Sequence, residues 1–182
     1  MFSYPHTIEN KFGEKLSFIS VSNTPSGKIL EVENWVQPGS GPIMHVHWRQ
    51  DESLTVLEGK IATQIKGQPS IELGVGATVT FTKGVWHRFW NPGKEILHCK
   101  GYIMPADNIE WFLTEVYRAI DAGSHHRPDL KAMAFLLNRY KSEFDVDGIP
   151  TLVRKLLMPL QYQIGKLTGA YAKYKDAPSP IF

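Results

Sequence analysis

From residue 15 to about residue 105, apolar and β-branched residues come in short runs broken by turn residues. The runs are KILEVENWV, PIMHVHW, ESLTVLEG, KIATQIKG, ATVTFTKG, WHRFWN and EILHCKGYIM. Between them stand Ser26-Gly27, Pro38-Gly39, Glu58-Gly59, Gly67-Gln68-Pro69, Gly74-Val75-Gly76 and Pro92-Gly93. Many short strands at this spacing predict an antiparallel sandwich or barrel. No repeat of the solenoid or propeller kind, with a period of roughly 20–50 residues, is visible.

After Pro105 the rhythm changes. Ile109, Phe112, Leu113, Val116, Tyr117 and Ile120 follow helical spacing, with Asp107 as candidate N-cap and Glu110 three residues on. Gly123 is the predicted stop. A second helix is predicted from Pro128, carrying Leu130, Met133, Leu137 and Tyr140 on one side. A third, from near Pro150, carries Leu152, Val153, Leu156 and Leu157 and should kink or split at Pro159. Leu160, Ile164, Leu167, Tyr171 and Tyr174 mark a further amphipathic stretch, and the tail APSPIF is expected to fray. The expected architecture is mainly β: a barrel over residues 1–105, then a helical extension over 106–182 that packs on the barrel or a dimer and is not an independent domain.

Composition narrows the function classes. The 182 residues carry 20 basic and 18 acidic side chains, scattered without a basic block, for a net charge of +2. Nucleic acid and anionic membrane are therefore not expected as partners. Cys99 is the single cysteine, so no intrachain disulfide forms, which fits a reducing compartment. The N-terminal MFSYPHTIENKFGEK lacks the apolar run of a signal peptide, and no stretch approaches the ~20 apolar residues of a membrane helix. A cytoplasmic location is the expectation.

The chemistry lies in histidines. In His45-Val46-His47 the imidazoles are two apart on a predicted strand, so both face one side. Glu52 is an odd step further on, and the polar Arg49-Gln50-Asp51 is where the chain can bend to bring it round on the next strand. His87 arrives from the distant WHRFW run. Three neutral imidazoles and one carboxylate suit a first-row divalent ion and leave coordination positions open. A His-x-His pair alone is a weak signal, since two histidines on a strand are more often ordinary surface or core residues.

Spacing changes that weight. Gly39, five residues, His45, one, His47, four, Glu52, six, Gly59 is one pattern; Gly76, seven, Gly84, two, His87, three, Asn91 is another. Together they resemble the two motifs of the cupin superfamily over about residues 30–105, departing at Thr82, where the family usually has proline. The resemblance implies a double-stranded β-helix, or jelly-roll barrel, with His45, His47, Glu52 and His87 as metal ligands. Iron or manganese is the first expectation for the ion; nickel, zinc, cobalt and copper are alternatives. A cupin that keeps these side chains as a polar cluster without metal is the bland alternative.

Alternation assigns Met44, Val46 and Trp48 to the face opposite the two histidines, and Trp86 and Trp90 to the face opposite His87. That apolar outer face requires cover, from the helices or from a second subunit. The resemblance favours a homodimer. Phe81, Phe89, Ile43, Leu54 and Ile65 are candidate pocket lining, though ordinary core is the default for most. Thr63 and Gln64 are candidate polar contacts, and Arg49 and Asp51 candidate rim residues. One of His98 and Cys99 faces inward; His125-His126 reads as a solvated turn. The expected function is a metal-dependent enzyme, dioxygenase-like or isomerase-like, acting on a small organic molecule, with Glu52 able to take a proton. A non-catalytic binding or sensing module is the alternative, and an assembly role with a vestigial site ranks below both.

Overall fold

The computed structural model describes residues 3–124 and 127–182; the His125-His126 pair lies outside the described residues. Two antiparallel sheets face each other as a jelly-roll barrel. The strands are β1 (His6–Asn10), β2 (Glu14–Thr24), β3 (Gly27–Val36), β4 (His45–His47), β5 (Asp51–Glu58), β6 (Ile61–Ile65), β7 (Ile71–Leu73), β8 (Thr78–Phe81), β9 (His87–Trp90), β10 (Leu97–Met104) and β11 (Phe144–Val146). One sheet runs β1-β2-β3-β10-β5-β8 and the other β11-β4-β9-β6-β7. On β3, Leu30, Val32, Asn34 and Val36 are buried, while Glu31 and Glu33 bond to Ser20 and His98. That period of two is the half-buried strand written in sequence.

Helices α1 (Ile109–Ala122), α2 (Leu130–Arg139) and α3 (Met158–Leu167) follow the barrel. Two cores result. Val36, Leu54, Val56, Ile61, Phe81, Phe89, Leu97 and Cys99 fill the space between the sheets. A larger core joins Phe18, Leu30 and Val32 of the first sheet to Ile109, Phe112, Phe135, Leu136 and Tyr140 of the helices. The helices thus cover that end of the first sheet.

Several local expectations are corrected. β1 was not anticipated, because HTIEN offers only Ile8 as an apolar signal. Nor was β11: three residues cannot display a period, and its partner β4 lies about a hundred positions earlier in the chain. The extension is therefore not purely helical; it adds an edge strand to the barrel sheet. Asp107 does not cap α1. Asn108 takes the N-cap position without a side-chain cap bond, Asp107 pairs with Arg49 at 3.3 Å, and Glu110 instead accepts from Tyr4 at 2.7 Å and meets His6 at 3.0 Å. α2 begins at Asp129, whose carboxylate accepts from the N–H groups of Lys131 and Ala132.

The C-terminal tail is tied down rather than frayed. Pro178 O accepts from Tyr140 (2.7 Å), Ile181 O from Ser142 (2.8 Å), and Glu143 accepts the Ile181 N–H (3.0 Å). At Pro159 the helix widens instead of breaking. The preceding turn, Val153–Leu157, ends with the Met158 N–H reaching Val153 O, five residues back. This wide turn lies where proline supplies no N–H and its ring crowds the carbonyl four residues earlier.

The stretch 152–167 also faces the unexpected way. Met158 and Tyr162 pack inward and Arg154 binds Asp145, whereas Leu152, Leu156, Leu160 and Ile164 lie open to solvent. The outer face of the β4 sheet is only partly covered. Val46 is fully buried, but Trp48 is exposed, edge-on to Trp86 at 5.9 Å. Lys66 and Arg88 place their charges over Trp86 and Trp90.

Candidate metal centre

The two sheets bring the four ligand candidates together. His45 and His47 stand two apart on β4, so they share the inner face. β9 pairs antiparallel with β4 so that His87 lies directly opposite His45. Glu52 comes from β5 in the other sheet, the bend at Arg49-Gln50 having carried the chain across. Gly84 assists from the second motif. It adopts φ +80°, a backbone that favours glycine, and its N–H bonds to His47 O at 2.7 Å. Asn91, the end of that motif, is a scaffold residue: its amide donates to Val36 O and Glu95 O, both at 2.8 Å.

One donor atom from each of the four residues lies within 4.8 Å of the others. Glu52 Oε2 is 3.1 Å from His87 Nε2 and 3.9 Å from the Nε2 atoms of His45 and His47. His45 Nδ1 faces Ile43 O and His87 Nδ1 faces Val85 O, each at 2.8 Å. A carbonyl only accepts, so each ring carries a proton on Nδ1 and turns its Nε2 toward the carboxylate. A cation among these atoms would be held by all of them. The donor set therefore fits one divalent ion.

The electrostatics agree. Burial pushes the His47 imidazole down to about 3, with Glu52 opposing and His45 and His87 reinforcing the shift. Burial alone would raise the Glu52 carboxyl, but the facing imidazoles outweigh it and hold it well below the usual range. At neutral pH the centre presents a neutral His47 and a charged carboxylate, the forms a metal requires. Phe81 stacks flat on His87 (4.0 Å, 9°) and Phe144 stands edge-on to His47 at 5.7 Å.

His45, His47 and Glu52 form part of the wall of a cavity of about 250 Å³ between the barrel and helices α1 and α2. Of the expected lining residues, Ile43, Leu54 and Phe89 line it, whereas Phe81 and Ile65 do not. Gln64 faces out, bonded to Arg88 and Gln68 O, and Thr63 is buried without reaching the cavity. Arg49 is held by Asp107, and Asp51 caps the Lys83 N–H at 2.8 Å; neither rims it. Cys99 is the inward one of its pair, its thiol pushed up to about 12 by burial. His98 stacks on Trp35 outside. Glu14, Asn34 and Tyr117 also line the cavity and were missed. Their signal was a polar residue at an inward step of an alternating strand: Asn34 between Val32 and Val36, Glu14 two before Leu16.

Residues 35–103, which carry both motifs and all four ligand candidates, match the cupin domain family. Solved structures are similar to parts of this chain at low identity. An uncharacterized conserved protein with a double-stranded β-helix domain from Klebsiella pneumoniae is 19% identical, covering 54% of this chain and 78% of its own (TM-score 0.48). KdgF from Halomonas sp. is 16% identical, covering 57% of this chain and 92% of its own (TM-score 0.47). A candidate sugar phosphate isomerase from Acidithiobacillus ferrooxidans is 23% identical over 41% of this chain (TM-score 0.38); this chain spans 49% of that protein's length. At these identities and TM-scores none of their activities transfers to this chain. No curated protein matches it.

Proposed function

We propose that the chain is a metal-dependent enzyme, dioxygenase-like or isomerase-like, acting on a small organic molecule at His45, His47, Glu52 and His87. The observation that carries this reading is the convergence of three imidazoles and one carboxylate, with one donor atom of each within 4.8 Å of the others and three of the four residues in the wall of a cavity. The ion, iron(II) or manganese(II) first and nickel, zinc, cobalt or copper otherwise, would supply Lewis-acid or redox chemistry there. The three imidazoles and Glu52 hold it, and the apolar wall excludes water from the bound molecule. Glu52, whose carboxylate borders the cavity, would take a proton on loosening from the ion.

Binding without turnover is the competing reading. It is favoured by the cavity wall, where among the described residues the only other carboxyl, besides Asp145 at the β11 edge, is Glu14, which burial pushes toward its neutral form. Metal analysis of protein purified without a histidine tag, followed by oxygen uptake against diketones, phenols and thiols, separates the two. Turnover lost in His47→Ala supports the enzyme; tight binding without turnover supports the sensor. Metal that persists in a His45→Ala, His87→Ala double variant overturns the assignment of the centre.

Residues 106–182 belong in this reading to the functional unit, since α1 and α2 supply much of the cavity wall. A soluble, folded, metal-binding barrel after deletion of residues 107–182 would contradict that. A homodimer is proposed as well, supported by the open Trp48 edge and the exposed Leu156, Leu160 and Ile164. Light scattering that returns the 20.6 kDa of one chain would refute it. The buried free thiol of Cys99 supports a cytoplasmic location. No helix among the described residues is long and apolar enough to cross a membrane.

A further inference from the structure

Away from the ligand candidates the cavity wall is mostly apolar, yet Asn34, Glu14 and Tyr117 also line it. Asn34 is 6% exposed, and its Oδ1 is buried with no hydrogen-bond partner among the described residues. Glu14 holds only long contacts: 3.4 Å from Asn10 Nδ2 to Oε1 and 3.5 Å from the Tyr117 hydroxyl to Oε2. An acceptor left unmatched in a core costs about 1–3 kcal/mol, a cost that a donor on a ligand removes. These groups share the cavity wall with His45, His47 and Glu52.

We infer that the cavity takes a mainly hydrocarbon molecule with a hydroxyl-type donor that bonds to Asn34 Oδ1, its polar end facing Glu14 and Tyr117. This inference rests on the proposed function for the metal centre and names the substrate class for it. The Lys15 ammonium lies over the Trp35 ring at 5.0 Å. Hydrogen-bonding capacity argues against polyols, because a sugar needs roughly one partner per hydroxyl and most of this wall is Leu, Ile, Val and Phe. Burial raises the Glu14 carboxyl. Leu113 and Val116 of α1 and Met133 of α2 close the apolar side, so selection for size falls to the helical layer.

The test is calorimetric titration of the full chain, before and after chelator treatment, with 4-ethylphenol, its donor-free isomer 4-methylanisole, and glucose. Expected is preference for 4-ethylphenol of about fivefold, the value of one net hydrogen bond, with no heat from glucose. Asn34→Leu, which replaces the unmatched amide by an apolar group of similar size, should erase that preference and leave 4-methylanisole binding unchanged. Val116→Trp should weaken both aromatics tenfold or more. Equal binding of the two isomers, a preference that survives Asn34→Leu, or failure of 4-ethylphenol to bind the parent would each overturn the inference. The chelated sample keeps the two readings apart: a chain that never takes metal leaves this result standing, and a chain that takes metal but shows no donor preference sinks this inference alone.

Discussion

Gly101→Ala tests how the barrel holds its ligand strand. Gly101 lies on β10 between Val32 of β3 and Leu54 of β5. A Cβ there would stand 1.9 Å from Ser53 O, 2.9 Å from Ser53 C and 3.1 Å from Leu54 Cδ2, against the 3.4 Å at which ordinary contact begins. The first obstacle is backbone, which cannot rotate away, so β5 and β10 must separate by about an ångström. Overpacking costs ~1–3 kcal/mol, and each weakened ladder bond adds about 1 kcal/mol. For a domain of this size a loss of roughly 2–4 kcal/mol lowers Tm by about 5–15 °C. Glu52 adjoins Ser53 and pairs with Ile103 on the same two strands, so metal affinity should fall at least about tenfold as its carboxylate leaves the shared centre. Thermal melts by circular dichroism and a metal titration read both effects. Gly74→Ala is the control, since its Cβ would meet nothing within 4 Å and should melt like the parent. If Gly101→Ala melts within about 2 °C of that control, roughly 0.5–1 kcal/mol at this chain length, the close approach does not govern the strand pair.

Phe144→Ala should cost about 3 kcal/mol in urea denaturation, because the ring is 3% exposed and stacks on Phe112 at 4.2 Å; metal titration should show weaker binding, since the ring also backs His47. Leu160→Gln should change stability by under about 0.5 kcal/mol, its side chain being 53% exposed, whereas Phe135→Ala should cost about 3–5 kcal/mol. Glu14→Gln tests the sign of the buried carboxyl by urea denaturation across pH 4 to 8. The folded chain holds the Glu14 proton more tightly than the unfolded chain, so its contribution to stability is complete below the ordinary value of 4.5 and is lost as pH rises toward the raised one. The variant has no such proton and should gain on the parent as pH rises. A gap that stays constant across the range would contradict that shift.

What sequence alone determined is whatever depends on short spacing. The period of two placed His45 and His47 on one face, two motif spacings tied Glu52 and His87 to them, and the 3.6-residue rhythm marked the helices. What only the tertiary structure decided is which surface meets which. β11 is too short to carry a period and exists because it pairs with β4. The tail carries no apolar period and is ordered by Tyr140, Ser142 and Glu143. The leucines of 152–167 announced an apolar face but not that Met158 and Tyr162 would take the inward side. The cavity with Glu14, Asn34 and Tyr117 likewise required β2, β3 and α1 to be brought together. Periodicity states which face of an element is apolar; only the folded chain assigns that face a neighbour, because the contacts that do so join residues far apart in sequence.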